Sequence, residues 1–326
     1  MPSGGAHEIP TGIPPDELRL MARVAHLYHE DGLRQAEIAS RFGLSQARVS
    51  RLLKRAVDEG VVRISVLPVP GVNTGDEEAL EERFGLRSAV VVDTEGDRLV
   101  ADVGAAAAYH LETSLRSGQL VGISSRSTFL RSTLEQVRLR APLQGVRVVQ
   151  ILGGLGDPSE TEHANRLTEQ MAARLGGEPV FLPTPAVTGS PESARALLED
   201  PFVAKTVQLY DHLDVAIMGI GSVDRATITA RSAGALTERD LRELMRAGAV
   251  GDACLRFFDR RGKPVRTALS ERVIGVELDR LRSTPHGVCV AGGLQKAEAI
   301  RGALLADFVD VLVTDQATAR KVLAGA

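Results

Sequence analysis

Apolar and small residues recur at helical spacing through Gln35–Leu52, at Ile38, Ala39, Phe42, Leu44, Val49 and Leu52, with Gly43 between the two groups. The pattern predicts two short helices packed at a steep angle, because residues three and four apart share one face of a helix. Ala39 is small enough for the second helix to approach, and Gly43 is able to take the left-handed conformation the turn demands. Ser45 stands where an N-cap belongs, its hydroxyl able to accept from the amide of Ala47 or Arg48. Upstream, Leu18, Met21, Ala22, Ala25, Leu27 and Tyr28 form a broad apolar stripe over 16–29, a supporting first helix. Gly60 closes the last of the three helices, and VVRISVLPVP (61–70) reads as a small wing or an exit strand. Residues 1–15, rich in Pro and Gly and poor in apolar side chains, read as a disordered tail without the apolar core of a signal peptide.

From about Asp76 the pattern changes from helices alone to alternation. Continuous β-branched runs recur at 88–93, 119–124, 147–152, 179–183, 214–222, 286–293 and 309–315. Stretches of helical period separate most of them, among them 101–118, 164–177 and 296–307. Apolar strands alternating with amphipathic helices predict an α/β domain, a doubly wound, mostly parallel sheet covered on both faces. The expected organisation is therefore a tail (1–15), an all-α helix-turn-helix domain (16–67), a linker and oligomerisation segment (68–87) and a larger sheet domain (88–326).

Charge sharpens the reading of the first domain. Between Arg19 and Arg63 nine Arg and Lys face five Asp and Glu, a local net charge of +4, which leaves −7 for the rest of a chain whose total is −3. A basic module on an acidic body is the footprint of phosphate binding, whereas an ordinary pair of core helices has no reason to segregate charge. The helix face left over after packing carries Ser45, Gln46, Ala47, Ser50, Arg51 and Lys54, side chains suited to base edges and phosphates in a major groove.

Composition bounds the rest. With 326 residues and 44% hydrophobic content there is material for a second domain of roughly 250 residues with its own core. No apolar run approaches the length of a membrane span. Cys254 and Cys289, each in apolar sequence and without metal-ligand spacing, read as buried thiols in a reducing cytoplasm, and neither a metal nor a cofactor is called for.

In doubly wound sheets ligands bind beyond the carboxyl ends of the strands. Four segments there draw the eye: SSRST (124–128), GGLG (153–156), GIGS (219–222) and AGGLQK (291–296), each expected to follow a strand and precede a helix. Their glycines, Gly153, Gly154 and Gly221 among them, are expected to let backbone amides converge on an anion, with Ser127, Thr128 and Ser222 adding hydroxyl donors. None follows a full dinucleotide or triphosphate motif, so the pattern points to a phosphorylated or polyhydroxylated small molecule. Lys296, at a helix start, runs against the macrodipole and calls for an anionic partner.

These segments together resemble the SorC family of bacterial sugar-responsive transcriptional regulators. The resemblance runs from RQAEIASRFGLSQARVSRLLKRAVDEGVVRISV through VGISSRSTF, VVQILGGLG, LPTPAV, IMGIGSV, GAVGDACLRFFDRRGKPV, HGVCVAGGLQKAEAIRGAL and VLVTDQATARKVL, nearly the whole chain. It implies an effector domain related in fold to the phosphosugar isomerases and deaminases, a sugar phosphate as effector, and a tetrameric assembly. It also implies particular roles. A phosphate-holding hydroxyl pair falls on Ser127 and Thr128, a polar contact on His163, a sugar-hydroxyl acceptor on Asp252 and a phosphate-pairing lysine on Lys296. The chemistry is apt, since a carboxylate accepts from adjacent hydroxyls and an ammonium pairs with phosphate. The chain departs from the family pattern at Ser125-Arg126, where Trp-Gly is usual, which leaves a non-phosphorylated polyol or a carboxylated ligand open.

The expected partners are a double-stranded DNA operator, a sugar phosphate or polyol, and further copies of the chain as a dimer or tetramer. Effector binding is expected to shift the spacing of paired DNA-binding modules, a coupling of about 1 to 3 kcal/mol. The rival is a phosphosugar isomerase or deaminase carrying a DNA-binding extension. Such chemistry needs a general base with an acid partner, and the ligand loops hold no paired carboxylates, only Asp157, Asp252 and Asp315, the last read as a helix N-cap.

Overall fold

The computed structural model of the protein describes residues 13–62, 73–94, 96–124, 127–139, 142–154, 158–223 and 236–325, with backbone only at 158–163. The chain divides at Val69 and Pro70 into two compact units.

Three helices build the first unit: α1 (Pro15–His29), α2 (Gln35–Phe42) and α3 (Gln46–Asp58). Met21, Val24, Ile38, Val49 and Ala56 are fully buried in one cluster with Ala39, Leu52 and Leu53, and Phe42 and Leu44 pack against it. Gly43 takes φ +64 at the end of α2, and the Ser45 hydroxyl accepts from the Arg48 amide at 3.3 Å. Arg55 on α3 pairs with Glu17 on α1 at 2.7 Å, so one of the basic residues ties the helices together. The unit begins earlier than the composition suggests: Ile13 packs against this core and α1 starts at Pro15, a residue whose fixed φ suits the first turn of a helix. Most of the predicted wing or exit strand, residues 63–70, lies outside the described residues.

In the second unit, α4 (Thr74–Phe84) precedes β1 (Ser88–Val92), α5 (Leu99–Ser114), β2 (Leu120–Ile123), α6 (Thr128–Gln136), β3 (Arg147–Gln150), α7 (Pro158–Leu175) and β4 (Glu178–Val180). There follow α8 (Pro191–Glu199), α9 (Pro201–Gln208), β5 (Val215–Met218), β6 (Gly221–Ser222), α10 (Glu238–Arg246), β7 (Ala249–Ala253) and β8 (Arg256–Asp259). The chain ends with α11 (Leu278–Ser283), β9 (His286–Val290), α12 (Ala297–Leu305), β10 (Val311–Asp315) and α13 (Gln316–Ala324). Seven parallel strands pair in the order β1-β10-β9-β5-β2-β3-β4.

Strand residues alternate between two cores, as the two-residue period of a strand dictates. Val121, Ile123, Val148, Val215, Ile217, Val288, Val290, Val311 and Val313 face α5, α6 and α7. Leu120, Val149, Ala216, Met218, Cys289 and Leu312 face the opposite layer, which includes α12 and α13. Both faces are covered, so the central strands are apolar throughout.

Helix α4 has a defined task in its own chain. Leu80 is fully buried, Glu77 and Glu81 accept from the amides of Val91 and Ala89 at 2.8 Å each, and Asn73 just before the helix donates to the Val91 carbonyl at 2.8 Å. The outward edge of β1 is thereby capped by side chains. The exposed positions of α4 are Thr74, Gly75, Glu78, Glu82 and Arg83, so this helix, within the segment expected to join protomers, presents no exposed apolar side chain.

Candidate functional site

The sheet order contains one reversal of direction. From β2 the chain builds outward through β3 and β4, then returns to the other side of β2 with β5 and proceeds through β9 and β10. A crevice opens beyond the carboxyl ends of two such strands because their connections leave in opposite directions. The four singled-out segments, three of them glycine-bearing, follow β2, β3, β5 and β9, four neighbours in the sheet, so all four stand along one edge.

Several predicted site residues meet there. Ser127 is the N-cap of α6, its hydroxyl accepting from the Leu130 amide at 3.3 Å, and Thr128 is exposed beside it. Gly219, just past β5, lies so close that an added Cβ would stand 2.7 Å from Ser127 Oγ. The Lys296 ammonium sits 5.3 Å from the centroid of the Phe129 ring, at the start of the same α6. A cation over an aromatic face gains electrostatically, so part of the compensation expected for this lysine comes from the ring quadrupole. The turn at 294–296 packs against β6, whose Gly221 and Ser222 pair with Asp252 and Gly251 of β7. Asp252 is 4% exposed and accepts from the Leu255 amide at 3.1 Å. Thus Ser127, Gly221, Ser222, Asp252 and Lys296 come from loops and strands that touch one another around the switch between β2 and β5.

Other expectations are corrected. GIGS does not precede a helix directly: Gly221 and Ser222 enter the three-stranded antiparallel sheet β6-β7-β8. The loop amides do not all converge on an anion either. Gly153 donates to Ile274 O at 3.1 Å, Gly154 to Thr184 O at 2.9 Å, and Gly293 to Asp315 Oδ2 at 2.8 Å. At Gly153 the physical reason is close packing, since a Cβ would meet the backbone of Pro185 and Ala186 at 2.7 Å. With those donors engaged, these three amides are not free to hold an anion. The side chain of His163, and Ser125, Arg126 and Asp157 entirely, lie outside the described residues.

The two thiols are chemically quiet. Burial pushes Cys289 up to about 12 against the opposing pull of the Lys296 charge. Burial, with the Asp252 carboxylate adding to it, pushes Cys254 to about 12. Neither is a thiolate near neutral pH. Among the described residues no group of His, Cys, Asp and Glu is placed to hold a metal ion, and no helix is long and apolar enough to cross a membrane.

Three features escaped the sequence. Cys254 and Leu255 take φ +52 and +58 in the two-residue turn joining β7 to β8, a left-handed pair that costs about 1 to 2 kcal/mol per residue. The Asn-Gly signal that announces such hairpins is absent. Arg256, next in the chain, is 8% exposed, pairs with Glu277 at 2.7 Å and donates to the carbonyls of Ser270, Val273 and Val276. It pins the Asp252 hairpin in place. Thr184, 4% exposed, has a hydroxyl with no hydrogen-bond partner among the described residues, beside the carbonyl that receives Gly154.

In the first unit Ser45, Gln46, Ala47, Ser50, Arg51 and Lys54 are all exposed on or just before α3, opposite its buried Val49, Leu52, Leu53 and Ala56. They form one uninterrupted face.

Comparison with known proteins bears on both units. Residues 73–324 match the profile of a sugar-binding domain family, and residues 12–68 that of the MarR family. The chain is 32% identical to the sorbitol operon regulator of Klebsiella pneumoniae over 313 residues, covering 94% of this chain and 98% of the relative. It is 30% identical to the deoxyribonucleoside regulator of Bacillus subtilis over 313 residues, with 94% and 98% covered. The crystal structure of the full-length sorbitol operon regulator SorC from Klebsiella pneumoniae superposes with a TM-score of 0.72 at 32% identity, covering 94% of this chain and 99% of that one.

Proposed function

This chain belongs to the SorC family of DNA-binding transcriptional regulators with a sugar-binding domain, and from that premise we propose that a sugar phosphate or related polyol, bound in the crevice between β2 and β5, controls its binding to an operator. The observation that carries the proposal is the approach of Lys296 to the start of α6, beside Ser127 and Thr128, next to the strands that hold Asp252. Lys296 neutralises an anionic group, the hydroxyls of Ser127, Thr128 and Ser222 complete its shell, and Asp252 accepts from adjacent sugar hydroxyls. The names of the two relatives, a sorbitol and a deoxyribonucleoside regulator, favour small carbohydrate-derived effectors for this chain too. His163 is a further proposed contact.

Ser45, Gln46, Ala47, Ser50, Arg51 and Lys54 read the operator in this account, with α3 in the major groove. A single module of net charge +4 binds weakly, so the working form is a homo-oligomer, dimer or tetramer, over paired half-sites. The regulator acts in the cytoplasm, where operator DNA is found.

A thermal-shift screen of the full-length protein against a panel of phosphosugars, free polyols and sugar acids tests the effector class. The account expects stabilisation by one or more phosphosugars or polyols, lost in Lys296→Ala for phosphorylated ligands and in Asp252→Asn for all of them. No stabilisation by any member of the panel would count against a carbohydrate effector.

A further inference from the structure

The turn that carries Lys296 is held from behind by a residue outside the proposed ligand shell. Asp315, at the end of β10, is 5% exposed. Its Oδ2 accepts from the Gly293 amide at 2.8 Å and from the Thr318 hydroxyl at 2.6 Å, while Oδ1 accepts from the Thr318 amide at 2.9 Å. Gly292 allows this approach, because a Cβ there would stand 2.6 Å from the same carboxylate oxygen. One carboxylate therefore does two jobs. It fixes the Gly292–Gly293 turn three residues before Lys296, and it caps the N-terminus of α13.

That helix leads away from the crevice. Gln316, its first residue, donates through Nε2 to the side-chain oxygen of Asn73, and Arg320 one turn later pairs with Asp76 at 3.1 Å. Near its end the Leu323 carbonyl accepts from Arg83. Asn73, Asp76 and Arg83 stand at the start, in the first turn and in the last turn of the segment around α4, which is also the first described segment following the DNA-binding unit in the chain.

We propose that Asp315 is a positioning residue of the effector site, and that the contacts Gly293–Asp315–Gln316–Asn73 tie the Lys296 turn to α4, so that occupancy of the crevice is felt by the helix leading to the DNA-binding unit. The proposal rests on the reading of Lys296 as an effector contact, but the link between the turn and α4 is a property of the free protein. Buried, multiply bonded carboxylates of this kind hold two elements in a fixed relation, and elements so joined open together.

Hydrogen–deuterium exchange on the unliganded full-length chain tests it. Gln316→Ala and Asn73→Ala each remove the Gln316–Asn73 hydrogen bond, leave the Arg320–Asp76 and Arg83–Leu323 contacts in place and touch nothing at the crevice, although Asn73→Ala also gives up the bond to the Val91 carbonyl. Each is expected to speed exchange at 291–296 about fivefold, with β5 (215–218) unchanged. Asp315→Asn keeps a good N-cap but replaces the oxygen that receives Gly293 with an amide group, and it is expected to speed 291–296 while leaving 316–320 near wild type. The double variant Asn73→Ala/Gln316→Ala is expected to match either single variant at 291–296. Exchange at 291–296 equal to wild type in Gln316→Ala and Asn73→Ala overturns the link. So does an equal rise everywhere, β5 included, which marks general loss of stability. Because no ligand is present, a negative result here removes the link and leaves the effector reading to its own screen.

Discussion

The two sites of this regulator are built on opposite principles. The proposed DNA-reading face is a single helix surface, residues 45–54, in which every nominated side chain is exposed and the neighbours at helical spacing form the core. The proposed effector crevice gathers residues from positions 127 to 296, out of strand ends and turns, and Asp252 and Ser222 among them are nearly inaccessible to solvent. A surface site can change one side chain at a time without disturbing its support. A crevice assembled from several turns shares its hydrogen bonds with the fold, as Gly153, Gly154 and Gly293 show. The comparison predicts separable damage in the first unit and coupled damage in the second.

The largest expected effect breaks the first unit alone. Ile38→Ala empties a fully buried position and is expected to cost about 2 to 5 kcal/mol in that unit, abolishing operator binding. If the units are independent in stability, calorimetry will show the transition of the second unit, and its effector-induced shift, unchanged; a loss of that shift would blur the distinction. Next is Lys296→Ala, expected to weaken a phosphorylated effector by about 1.5 to 3 kcal/mol, roughly 10- to 150-fold by titration calorimetry, with operator affinity retained. Arg51→Ala is expected to cost about 1 to 3 kcal/mol at the operator, measured by fluorescence anisotropy at fixed salt, with effector affinity unchanged.

The smallest effect concerns pH. Burial, and then the charge of nearby His286, hold the His110 imidazole below its ordinary value of 6.5. The unfolded chain therefore binds that proton more readily than the folded one, so the contribution to stability is present above that value and is lost as the pH falls below it. His110→Gln is expected to flatten the fall in melting temperature of the second unit between about pH 7.5 and about pH 5. An identical pH profile in the variant would remove His110 as its source.

How much was legible in the sequence follows the same division. Helical spacing and Gly43 specify α1 to α3 because everything they need is local, and the seven runs of β-branched residues match the seven strands of the parallel sheet. The run 214–222 split into β5 and β6, since Gly219 packs against Ser127 and the chain turns there into a second sheet. The β7–β8 hairpin was invisible because Cys254 and Leu255 occupy a turn whose usual residues are Asn and Gly. In the crevice, residue types suggested the chemistry proposed for Lys296 and Asp252. They did not show that three of the loop amides are bonded within the fold, because those acceptors, Ile274, Thr184 and Asp315, lie 121, 30 and 22 residues from their donors.

The central claim is that occupancy of the crevice changes DNA binding, and one titration tests it most directly. A preformed complex of the full-length protein with its operator is titrated with the effector selected by the thermal-shift screen, following anisotropy, beside the Lys296→Ala variant. The account predicts a change in operator affinity of about 5- to 150-fold at saturation in the wild type and no response in the variant over the same range. An operator affinity that stays constant while the crevice is saturated would contradict it.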